Sequence, residues 1–83
     1  MNEAEDDGRA TERIPYRKLG YGTKAAADLL TDRGLFTTAR SLRYAANHGR
    51  IRFEWSSGGH RRFMADELER YLREKLDKAD TGV

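Results

Sequence analysis

Cysteine is absent from this chain of 83 residues, and proline occurs once. Without thiols there are no disulfides and no thiolate metal sites, and two histidines make no credible metal set on their own. No stretch approaches the roughly 18 consecutive apolar residues of a membrane span. The first residues are acidic, the reverse of the basic-then-apolar order of a signal peptide. A soluble protein of the cytoplasm, in a bacterial or phage-infected cell, is therefore expected. Length excludes more. A domain near 60 residues buries only about 60% of its unfolded surface, so its core is a handful of side chains and a deep ligand cleft is hard to build. No nucleophile–base arrangement is visible. Asp66 and Glu67 are adjacent, which suits a helix start better than acid–base work. Neither an enzyme, nor a cofactor, nor a metal is expected.

What the chain does have is unevenly placed charge. The formal net charge is only +2. Residues 1–13 hold five acidic groups against two arginines, net −3. Residues 14–63 hold ten Lys or Arg against Asp28, Asp32 and Glu54, net +7. Residues 64–83 hold six acidic groups against four basic ones, net −2. A cationic centre between anionic ends is the asymmetry of a polyanion binder.

Residues 1–13 are nearly devoid of apolar side chains and are expected to be disordered, as are residues 79–83, with one domain over residues 14–78. Order should begin near Ile14. After the turn at Gly20-Tyr21-Gly22, Thr23 is a good cap for a helix over residues 24–30, with Ala26, Leu29 and Leu30 on one face. The segment from Thr31 to Gly34 breaks that pattern, and Leu35-Phe36 reads as an apolar plug. Thr37 or Thr38 should cap a second helix at about residues 39–48. Leu42, Ala45 and Ala46 form its buried edge, while Arg40, Arg43, Tyr44 and Asn47 face outward. Gly49 ends it.

Residues 50–55 alternate polar and apolar, the pattern of a half-buried strand with Ile51, Phe53 and Trp55 toward the core. Ser56-Ser57-Gly58-Gly59 makes the hairpin turn, and His60-Arg61-Arg62-Phe63 returns with Phe63 inside. A last helix begins at Asp66-Glu67 and carries the apolar stripe Leu68, Tyr71, Leu72 and Leu76. Glu69/Arg73 and Glu74/Lys78 have the spacing of surface ion pairs on it. The order is helix, helix, strand, strand, helix: mainly α with a β-hairpin.

Two motifs carry a resemblance. Thr38-Ala39-Arg40-Ser41-Leu42-Arg43-Tyr44 resembles the recognition-helix motif of MerR-type regulators. Gly58-Gly59-His60-Arg61-Arg62-Phe63, followed by Asp66-Glu67-Leu68, is similar to the wing and next helix of the same superfamily, in the form found in small BldC-type regulators and phage excisionases. The likeness runs from about residue 20 to 73. It departs from the family in a longer link between the first two helices, and in lacking the long dimerisation helix and effector domain of full MerR regulators. The resemblance implies a winged helix-turn-helix that binds double-stranded DNA, with copies assembling side by side and, for an excisionase, an integrase or other recombinase as partner.

The residues suit that task. Arg40 and Arg43 can each make two bonds to guanine, and Asn47 the equivalent pair to adenine. Tyr44 suits a phosphate, and Thr38 begins the helix that carries them. At the wing, Ser57, Gly58 and Gly59 allow close approach, and Arg61 and Arg62 can reach the minor groove or its rim. Adjacent strand residues point to opposite sides, so one of these arginines should meet DNA while the other supports it. His60 fits a phosphate or simple packing on the sheet equally well. Thr23 and Lys24 begin a helix whose free amides suit a backbone phosphate. The aromatic residues Phe53, Trp55 and Phe63 can be read as stacking platforms for single strands, but their alternation favours the core. An excisionase is the leading expectation and a small transcriptional regulator the alternative. A protein-binding adaptor docking through Leu68, Leu72 and Leu76 comes third.

Overall fold

In a computed structural model that describes residues 13–81, three helices and a two-stranded antiparallel hairpin follow in the order helix, helix, strand, strand, helix. They are α1 (Thr23–Asp32), α2 (Ala39–Asn47), β1 (Glu54–Trp55), β2 (Arg61–Arg62) and α3 (Ala65–Thr81). This is the expected order. The expected acidic tail lies outside the described residues except for Arg13; of the expected C-terminal tail, residues 79–81 continue α3 and the rest lies outside. Among the described residues no helix is long and apolar enough to cross a membrane.

Local signals account for α2. Thr38 Oγ1 accepts the Ser41 N–H at 3.0 Å, and Ser41 Oγ accepts the Thr38 N–H at 3.0 Å, a reciprocal cap. Leu42, Ala45 and Ala46 are buried, and the two alanines let α2 lie close against α1. At the far end, the Gly49 N–H reaches the Ala46 carbonyl and the Arg50 N–H reaches the Ala45 carbonyl. This closure needs Gly49 at φ +73°, a conformation that a β-carbon disfavours.

The first helix departs from expectation at both ends. Its N-cap is Gly22, so Thr23 is the first helical residue and caps nothing. It also runs on through Thr31 and Asp32, because the left-handed residue that closes it comes only at Gly34. Ala26, Ala27 and Leu30 are buried, with Leu29 half-buried at the edge. The supposed plug divides: Leu35 packs against the core, whereas Phe36 is 80% exposed. Thr37 takes the inner position instead. Its hydroxyl donates to the Leu35 carbonyl at 2.7 Å, and Thr31 Oγ1 accepts the Thr37 N–H at 2.9 Å. Those bonds satisfy the backbone of the link and turn Phe36 outward.

The expected strand over residues 50–55 shortens to Glu54–Trp55. The Arg52 N–H donates to Glu67 Oε2 at 3.0 Å, and Arg70 Nη2 donates to the Arg50 carbonyl at 3.2 Å. Side chains of α3, not a neighbouring strand, satisfy this backbone. Ile51 is buried and Phe53 half-buried, but Trp55 is 61% exposed and not part of the core. Alternation sets the face of a strand and leaves open how far the hairpin projects beyond the core. The register pairs Glu54 with Arg62 and Trp55 with Arg61, and Phe63 enters the core just after β2.

One contact outside these elements positions the rest. Tyr21 and Phe63 exchange two backbone hydrogen bonds of 2.8 Å, tying the start of α1 to the end of β2. Gly20 permits the approach, since a β-carbon there would stand 2.9 Å from Met64 Sδ and 3.0 Å from the Phe63 carbonyl oxygen, at φ +72°.

Of the two expected ion pairs on α3, Glu69/Arg73 does not form, and Glu74/Lys78 involves a side chain outside the described ones. Glu69 Oε2 accepts the Ile14 N–H at 2.6 Å, and Oε1 lies 3.9 Å from Arg13, so Glu69 holds the N-terminal segment and does not pair with Arg73. Glu74 takes Arg70 Nη1 at 2.7 Å, and the side chain of Lys78 lies outside the described ones. Arg70 also donates to Glu67 at 2.6 Å. Burial alone would push the Glu67 carboxyl up, but bonds from Arg70 and from the Arg52 amide outweigh it and hold the group below its ordinary 4.5. A carboxylate depressed in the folded state stabilises fully above its unfolded value and loses that contribution as pH falls through the folded one. Stability should therefore decline below about pH 4.5. Glu67→Gln should flatten that limb and cost about 1–2 kcal/mol at neutral pH, read by urea unfolding across a pH series.

Candidate nucleic-acid interface

The Tyr21–Phe63 bridge sets the first turn of α1 beside β2, and α2 packs on α1. Where the three meet is an open groove lined by Thr23 and Lys24 of α1, Ala39 and Arg43 of α2, and Trp55, Gly59, His60, Arg61 and Arg62 of the hairpin. Among the described residues, four permanent cations from three segments thus share one surface, and no carboxylate lines it. Lys24 does reach Asp28 at 3.3 Å, but both side chains are well exposed, so the pair is weak and exchanges readily for another anion. With Gly22 as its cap, α1 has no side-chain acceptor on its first amides and no acidic residue in its first turn. Those amides add partial positive charge at the same rim.

Arg61 joins the hairpin to α2. Its Nη2 donates to Asn47 Oδ1 at 2.6 Å. Its guanidinium carbon lies 4.9 Å from the centre of the Phe53 ring and 5.0 Å from that of Trp55. The Nε is buried beside those rings without an acceptor. Arg62 is placed differently. It stands opposite Glu54, and its Nη1 would meet a β-carbon on Gly22 at 3.6 Å, so it abuts the start of α1.

The structure thus gathers Thr23, Lys24, Arg43, Gly59, His60, Arg61 and Arg62 into the groove, with Asn47 reaching it through Arg61. Arg40, Tyr44 and Asn47 follow at helical spacing along the exposed side of α2. Tyr44 packs on His48 with ring centres 3.9 Å apart. Thr38 acts as the cap of α2. Ser57 and Gly58 do not line the groove; they border a second hollow along the hairpin with Lys18, Leu19 and Arg62. Compared with models of protein families, with curated proteins and with solved structures, the chain matches none. Sequence reasoning missed Lys18, and it misplaced Trp55, which borders both hollows. Asn47 also gains a constraint: a paired contact to adenine needs its carbonyl oxygen, which already holds Arg61. Among the described residues no three His, Cys, Asp or Glu side chains group as a metal set.

Proposed function

We propose that this chain binds duplex DNA as a winged helix-turn-helix, with α2 reading the major groove and the hairpin as the wing at the neighbouring minor groove. The observation that carries this reading is the groove in which Lys24, Arg43, Arg61 and Arg62 stand together, with no carboxylate of the described residues lining it. Arg40 and Arg43 address base edges, and Tyr44 and His60 take phosphates. The first turn of α1, with Thr23 and Lys24, takes another phosphate. Arg62 reaches the duplex from the wing, and Arg61, braced against α2 through Asn47, turns its remaining guanidinium hydrogens to the backbone. Copies bind adjacent sites side by side and bend them, so that an integrase assembles its excisive complex. This excisionase role is supported by the likeness of the α2 and hairpin motifs to phage excisionases. The protein needs no cofactor or metal for it and catalyses no step.

Two measurements test the proposal. With roughly five phosphates engaged, the logarithm of affinity for a short mixed-sequence duplex should fall against the logarithm of salt with a slope of about −4 to −5. A flat response would reject DNA binding. In a reconstituted reaction with the integrase of its own locus, the protein should raise the yield of excised product. Tight DNA binding with no effect on excision would point to a small transcriptional regulator. The adaptor reading has less to stand on, because Leu68 is fully buried and Leu72 packs against the core.

A further inference from the structure

We propose that Trp55 is a non-ionic anchor of this interface, its indole stacking on a nucleobase that the duplex presents at the hairpin. The inference rests on the duplex-binding reading and names a contact of a different physical kind within it.

Trp55 is the only tryptophan of the chain, and it is 61% exposed. A lone exposed apolar side chain needs no explanation by itself. Its setting does. The ring borders the groove that holds Lys24, Arg43, Arg61 and Arg62, so a duplex seated on those cations passes the indole. The ring is also held in place before any ligand arrives. It meets Phe53 edge-on, with centres 5.0 Å apart and planes at 85°. Arg61 lies over it at 5.0 Å, and Arg61 is itself fixed by Asn47 at 2.6 Å. A side chain already ordered loses little freedom on binding. An aromatic plane among cations is the arrangement that takes a base by its π-face while neighbouring charges take the backbone. In a duplex that face becomes accessible when a step is opened, which is how apolar side chains kink DNA.

The competing account is that Trp55 merely props Arg61 in position. The two differ in salt dependence, because an indole displaces no counterions whereas an arginine does. The test is the affinity of wild type, Trp55→Ala and Trp55→Phe for a short mixed-sequence duplex across about 50 to 200 mM salt, with the intrinsic fluorescence of the wild type read in parallel. Thermal melts confirm that each variant folds, and Trp55→Phe serves if Trp55→Ala does not. Stacking predicts a loss of about 5- to 150-fold for Trp55→Ala with the slope unchanged. It also predicts partial retention in Trp55→Phe and quenched fluorescence on the duplex. A slope reduced by about 0.9 in Trp55→Ala would show that Trp55 acts only through Arg61 and overturn the proposal. Unchanged affinity in both variants, with salt-dependent binding intact, would overturn it while leaving the duplex-binding reading standing. Absence of any salt-dependent duplex binding by the wild type would sink both.

Discussion

Arg43→Glu combined with Arg62→Gln should weaken duplex binding by at least about 100-fold and leave the fold intact. Each lost charge-assisted contact is worth about 1.5–3 kcal/mol, and each removed phosphate contact lowers the salt slope by about 0.9. Of the two, Arg62 is the phosphate contact, so a slope of about −4 to −5 should fall to about −3 to −4, while loss of Arg43 from the base edges weakens binding at every salt concentration. Neither side chain belongs to the core: Arg43 is exposed on α2, and Arg62 lies half-exposed along β2. Glutamine at position 62 avoids placing two carboxylates opposite each other, since Glu54 faces it in the register. The necessary control matches the change in charge elsewhere. Arg73→Glu with Lys75→Gln alters the surface of α3 by the same amount, and neither residue lines the groove. If affinity depends on where the cations stand, the control loses a small fraction of what the groove variant loses. Equal losses in an electrophoretic or anisotropy titration would mean that only net charge matters, and the groove would lose its significance.

That test bears on a site only partly legible in the chain. Helix α2 was readable because everything that makes it is local: the Thr38 cap, the spacing of Leu42, Ala45 and Ala46, and the closing glycine. The outward stripe of Arg40, Arg43 and Asn47 follows from the same periodicity. The groove beside it depends on the Tyr21–Phe63 bridge, and two isolated residues distant in sequence leave no periodic trace. For the same reason the shortened strand was unreadable. Arg50 and Arg52 alternate with apolar residues as a strand would, yet their backbone groups are claimed by Arg70 and Glu67 of α3.

Trp55 shows a different limit. The pattern at Ile51, Phe53 and Trp55 points all three inward, but the fully buried side chains are Leu30, Leu42, Ile51, Phe63 and Leu68, while Trp55 meets Phe53 edge-on and stays 61% exposed. A signal was present in the length of the chain, since so small a domain fills with few large side chains. Similarly, Glu69 and Arg73 have the spacing of a surface pair. A backbone amide at Ile14, fixed on a part-buried carboxylate, gains more than a solvated guanidinium would.

Phe63→Ala should be the most damaging single change to stability, at about 3–5 kcal/mol. The ring is fully buried and meets Phe53 edge-on at 5.9 Å. Its own backbone carries both bonds of the bridge to Tyr21. A domain of this size has only about 3–10 kcal/mol in total, so the variant should lose a third or more of its stability, and at the low end of that range should be half-unfolded at room temperature. Phe63→Leu keeps most of the buried volume and should recover more than half of the loss. Phe53→Ala, at a half-buried ring, should cost less than Phe63→Ala, because part of that side chain already meets water. Urea unfolding followed by circular dichroism ranks the three. The ranking also separates two ways of losing DNA binding. Under conditions that keep Phe63→Leu folded, it should bind the duplex with the wild-type salt slope, whereas the groove variants stay folded and bind with a reduced one. Should Phe63→Ala prove as stable as wild type, the Phe63 ring would not be what seats the end of the hairpin on the core beside the backbone bridge to Tyr21.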